Sequence, residues 1–137
     1  NGTGIIISVR ARCSDGRPRS PEDKVKNASV TDGLSNTILA GEMHVPQGRL
    51  RVSPFDAFIF NGDNVFNTGR LGGPTMPIAK NLKGEADDLV RWGSWHVGSC
   101  NFAFADGSVH TLPVNIDTDT LGRLSNRSDG QPVSFVD

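Results

Sequence analysis

Apolar and polar or small positions alternate through Cys100-Asn101-Phe102-Ala103-Phe104-Ala105, and Ser108-Val109-His110 resumes the alternation after Asp106-Gly107. Strand side chains alternate between faces. Asp-Gly between two such runs favours a hairpin, because Gly takes positive φ freely and Asp bonds to nearby backbone N–H groups. A two-residue turn at Asp106-Gly107 predicts Ala105 opposite Ser108, Phe104 opposite Val109, Ala103 opposite His110 and Phe102 opposite Thr111. That register puts Phe102, Phe104, Val109 and Cys100 on a buried face. Ala103, Ala105, Ser108 and His110 fall on a small-residue face able to lie close against another element.

The remaining pattern is weaker. Ile5-Ile6-Ile7-Ser8-Val9 is a β-branched run that predicts a strand, and Cys13 to Lys26 is a turn-rich polar loop. Thr31 or Asp32 can cap a helical turn through Ser35. Thr37-Ile38-Leu39-Ala40 then predicts a buried strand ending at Gly41-Glu42. Phe55 to Phe60 is a further strand candidate, and Val133 to Val136 a weak one. Asn67 to Glu85, rich in Gly, Pro, Asn and Lys, predicts a long variable loop. Asp117 or Thr118 can cap a short helix that presents Leu121 and Leu124 on one face. The sum is α+β, mostly antiparallel, with a hairpin at about 100–112 and one or two short helices.

Composition narrows the picture. The 137 residues fit a single domain, and 36% hydrophobic content with Gly 16 and Pro 8 suits short strands joined by turns. The net charge is −1 with Lys and Arg scattered, so no basic surface points to nucleic acid. No stretch approaches the roughly 18 apolar residues that span a bilayer.

His96 followed after nine residues by Asp106-Gly107 resembles the signature of the bacterial prepilin-type processing-associated, or H-X9-DG, family. Asp32-Gly33-Leu34-Ser35-Asn36-Thr37, then Ile38-Leu39-Ala40-Gly41-Glu42, resembles that family's other recurrent block, and the two stand in the family's order. The resemblance implies a pilin-like globular domain: an antiparallel sheet laid over a long N-terminal helix that anchors the precursor and later packs in a filament. This chain, beginning Asn1-Gly2-Thr3-Gly4, is then expected to be the C-terminal globular part of a longer precursor, touching a membrane only through the missing helix. An exported protein could bridge Cys13 to Cys100, closing a loop worth about 4–5 kcal/mol on the chain-entropy model. Two separate buried thiols fit equally.

Candidate chemistry is sparse. His44, His96 and His110 with Glu42, Asp106 and Asp117 supply zinc-ligating atoms, but without close ligand spacing. A structural reading has His96 bond a backbone group or Asp106 and fix the start of the strand. Asp106 is what the turn requires, and no Gly-x-Ser-x-Gly elbow surrounds Ser35, Ser99 or Ser108. Oxygen-rich loops at Asn61-Gly62-Asp63-Asn64 and Asn115-Ile116-Asp117-Thr118-Asp119 suit Ca²⁺, with Asp63, Asn64, Asp117 and Asp119 as candidate ligands, and the resemblance adds that major pseudopilins carry such a site near the C-terminus. Trp92 and Trp95 with Phe55, Phe58 and Phe60 could form a sugar platform.

The expected function is therefore that of a non-enzymatic, exported pseudopilin-like subunit of a filament, secretion apparatus or cell envelope. Its partners would be protein, through self-assembly or other pilin-like subunits. The motif residues Asp32, Gly33, Ser35, Asn36, Thr37, Glu42, His96, Asp106 and Gly107 are expected to be structural, with no cofactor beyond a candidate Ca²⁺. The alternative is a cell-surface module binding carbohydrate or calcium.

Overall fold

Ile38–Gly41 forms strand β1, Ser99–Phe104 β2 and Val109–Pro113 β3, and the three make one antiparallel sheet in the order β1-β2-β3. The computed structural model describes residues 4–5, 25–53, 55–56, 69–80, 90–131 and 133. Helix α1, Thr118–Leu124, follows the sheet, and two short 3-10 turns, Asn27–Ser29 and Leu34–Asn36, precede it. No helix among the described residues is long and apolar enough to cross a membrane.

The hairpin forms one residue out of the predicted register. Ala103 pairs with Val109, Phe102 with His110 and Cys100 with Leu112. The loop holds three residues, Ala105 to Gly107: the Phe104 amide donates to Ser108 O at 2.9 Å, and the Gly107 amide to Phe104 O at 3.0 Å. Gly107 has φ +89°, the left-handed residue a three-residue hairpin loop uses. Asp106 sets the shift, because its Oδ1 accepts both the Ser108 amide at 2.9 Å and the Ser108 hydroxyl at 2.6 Å. A one-residue slip turns every side chain of a strand over. Val109 therefore leaves the core and is 69% exposed. His110 turns inward and meets Phe104 edge-on, with ring centroids 4.8 Å apart.

On β2 the buried face is as the alternation predicts, and on β3 the slip also turns Leu112, opposite Cys100, into the core. Cys100, Phe102 and Phe104 join Ile38, Ile78, Leu112, Leu121 and Leu124 in one core cluster. Asp117 caps α1, its side chain accepting the Thr120 amide at 2.8 Å, so Leu121 and Leu124 both point into that core. β1 is only half buried: a bulge between Ile38 and Ala40 leaves Leu39 and Ala40 facing out while Ile38 faces in. Gly41 follows where no side chain fits, since a Cβ there would lie 2.5 Å from the Phe102 ring.

Two expectations need correction. Residues 69–80, predicted as part of a variable loop, pack against the body of the domain. Ile78 and Ala79 are buried, Leu71 bridges Arg91, and Ala79 bridges Gly93, all in parallel. A Pro- and Gly-rich segment lacks periodicity, yet can still deliver one side chain to the core. The cap of the Leu34–Asn36 turn is Gly33 at φ +99°, without a side-chain bond, rather than Thr31 or Asp32. Phe55 and Asp56 close a turn on Val52 O. Residues 57–60, the rest of that predicted strand, lie outside the described residues, as do those of 6–9 and 134–136.

Candidate functional site

The Glu42 carboxylate joins the two sequence blocks. After β1 the chain leaves the sheet: the Glu42 amide still donates to Asn101 O at 3.1 Å, but its carbonyl turns to the Gly93 amide at 3.1 Å. That turn deprives the Asn101 amide of its ladder partner. Glu42 Oε2 replaces it, accepting Asn101 N–H at 2.6 Å, and Oε1 lies 3.1 Å from His96 Nε2. An acidic side chain of this length at the strand end thus serves two neighbours with its two oxygens. His96 meets this carboxylate instead of Asp106 or a backbone group, which corrects the expected partner. The pair is largely solvent-exposed, so its ionic contribution is at most about 1 kcal/mol.

The loop carrying His96 is tied at both ends. Ser94 Oγ donates to Ser99 O at 2.6 Å and accepts the His96 amide at 3.0 Å. Trp95 Nε1 donates to Val45 O at 2.8 Å. Trp92 packs edge-on against Phe102 at 5.4 Å, and Phe55 lies under the Arg49 guanidinium at 5.1 Å. The two are thus engaged separately; Phe58 and Phe60 lie outside the described residues.

The earlier block closes a different tie. Asp32 is 6% exposed, and its carboxylate accepts the Asp129 amide at 2.7 Å and the Gly130 amide at 3.0 Å. Asn36 Nδ2 donates to Asp32 O at 3.0 Å, and the buried Thr37 hydroxyl to Gly33 O at 2.9 Å. Thr37 O in turn accepts the Ala105 amide at 2.9 Å, reaching the hairpin loop beside Asp106. Ser35 is exposed. The Asp32 contacts cross almost the whole chain, a reach that no local pattern reveals.

Asp106, Ser108 and His110 stand close together on the hairpin. Hydrogen bonds from the Ser108 hydroxyl, then its amide, hold the Asp106 carboxyl below the usual range, so it accepts the single hydroxyl proton. His110 Nε2 lies 3.0 Å from the same Ser108 Oγ, within hydrogen-bond reach.

Cys100 is a buried free thiol; Cys13 lies outside the described residues. Burial, then the nearby Glu42 charge, pushes the thiol up to about 12. Asp63 and Asn64 also lie outside the described residues. Asp117 is engaged in capping, its carboxyl held low first by the Thr120 amide, and Asp119 is exposed in the first helical turn. His44 is buried beside Gly93. Among the described residues no three His, Cys, Asp or Glu side chains form a group that could hold a metal ion.

Two blocks that interlock through structural hydrogen bonds around one small antiparallel sheet define the chain's class. The family model described as a protein of unknown function (DUF1559) matches residues 8–119. The chain belongs to this family, the prepilin-type H-X9-DG family. No curated protein and no solved structure matches it.

Proposed function

We propose that this chain is the pilin-like globular part of an exported, non-enzymatic subunit that works by protein–protein contact in a filament, secretion apparatus or cell envelope. The observation that carries the reading is the use made of the motif side chains. Glu42 bonds both His96 and the β2 backbone, Asp32 bonds the backbone at 129–130, and Asp106 holds the hairpin turn. Such residues maintain a shape; they do not converge on a reacting atom. Family membership supports export and pilin-like association.

The outer sheet face supports contact with another protein. Ala40, Ala103 and Val109 lie opposite one another across all three strands, forming one small apolar row. Beside it Thr111 Oγ1 donates to Asn101 Oδ1 at 2.7 Å. Cross-linking and mass spectrometry on intact source cells tests the proposal. Cross-links from this chain to itself or to other pilin-like subunits are expected. Cross-links confined to the chain's own interior would contradict it.

A further inference from the structure

We infer that residues 126–131 form a strap that opens and closes on the Asp32 carboxylate while the sheet stays folded. Apolar packing anchors the chain on either side: Leu124 is fully buried, and Val133 packs against the core. Among the described residues between these anchors nothing apolar is buried, and Ser128, Asp129, Gly130 and Gln131 are exposed. The strap's centre is tied down by polar contacts. Asp32 Oδ2 and Oδ1 receive the Asp129 and Gly130 amides, the Asp32 amide donates to Arg127 O at 3.3 Å, and Arg127 Nη1 donates to Gly4 O at 2.8 Å.

Segments with few apolar contacts open locally at a free energy well below that of global unfolding. This strap also carries its own turn bonds. The Ser128 amide donates to Asn126 Oδ1 at 3.2 Å and the Gln131 amide to Asp129 Oδ1 at 2.8 Å, and Gly130 has φ +75°. These bonds travel with the strap, so release breaks its external ties and leaves its shape. Opening uncovers the Asp32 carboxylate, whose two oxygens are placed for two successive backbone N–H groups. An extended peptide segment offering such a pair is the class of ligand that competes with the strap. The inference does not depend on the assembly role proposed above.

Native-state hydrogen exchange by NMR on the full chain tests it. In the unaltered protein the Asp129 and Gly130 amides should exchange through an opening insensitive to low denaturant, and be less protected than the Phe104 amide of β2 and the Glu42 and Ala105 amides that bond across the ends of the sheet. Asp32→Ala removes two bonds to a charged acceptor and should speed exchange at 129 and 130 by about a hundredfold or more. Asp32→Asn, which keeps one oxygen acceptor, should fall between. Strap amides that exchange only together with the sheet in the unaltered protein would overturn the inference, whether or not the variants fold. So would unchanged exchange at 129 and 130 in a folded Asp32→Ala.

Discussion

His96 Nε2 lies 3.1 Å from Glu42 Oε1, while the other oxygen of the same carboxylate accepts the Asn101 amide at 2.6 Å. The two bonds are unequal in worth. The first joins exposed groups; the second satisfies a part-buried strand amide whose ladder partner has turned away. Glu42→Ala should therefore cost about 2 kcal/mol, as for loss of a bond between an amide and a charged acceptor. His96→Ala should cost less than about 1 kcal/mol. Urea denaturation of both variants checks the order, and equal losses would assign the stabilisation to the ion pair.

Gly41 and Gly107 should differ when changed to Ala. At Gly41 the new methyl would meet Phe102 Cδ1 at 2.5 Å and Trp92 Cε3 at 3.0 Å, a clash with rings held in the core. Overpacking of this kind costs about 1–3 kcal/mol or more. At Gly107 a Cβ meets nothing within 4 Å, so the cost is the left-handed backbone alone, about 1–2 kcal/mol. Crystal structures or backbone chemical shifts should show β2 displaced in Gly41→Ala and only the loop altered in Gly107→Ala.

Much of this arrangement is legible in the sequence, and the failures have physical causes. Alternation at 100, 102 and 104 marks the core face correctly, and Asp117 with Leu121 and Leu124 marks the helix. The hairpin register is not legible, because Asp-Gly serves both two-residue and three-residue loops; the Ser108 hydroxyl and amide bonds to Asp106 accompany the longer one. Ile78 escapes notice because it lies in a segment without periodicity. The Glu42–His96 contact is invisible in spacing, since 54 positions separate the two. The only clue was that both belong to recurrent blocks. Asp32 shows the same limit, because an acid before Gly reads as a local turn when its partners lie about a hundred residues away.

Leu121 and Leu124 are fully buried although they lie beyond residue 119, where the family match ends. Each Leu→Ala change should cost about 2–5 kcal/mol. Ending the chain after residue 119 removes both side chains and the partners of Asp32, and should abolish cooperative thermal unfolding. A sharp transition in the shortened protein would show that the domain ends earlier.

Cys100 should be chemically silent in the folded state. Its thiol is raised from the ordinary 9.0 to about 12 by burial, so at pH 8 thiol reagents should label it only as fast as the protein opens. The sign for stability follows. The folded state keeps the proton that the unfolded chain releases above about pH 9, so this contribution is complete below that pH and lost as pH rises toward about 12. Cys100→Ala should flatten that alkaline decline in denaturation midpoints. Rapid labelling of the folded protein at pH 8 would contradict the burial argument.

Imaging of the protein isolated intact from its source, by electron cryomicroscopy, tests the central claim most directly. Ordered polymers or envelope assemblies are predicted, with Glu42, His96 and Asp32 bonded within each subunit and the outer sheet row, Ala40, Ala103 and Val109, in contact with a neighbouring protein. A discrete monomer with that row in solvent, or an assembly in which Glu42 and His96 separate to bind a ligand, would contradict it.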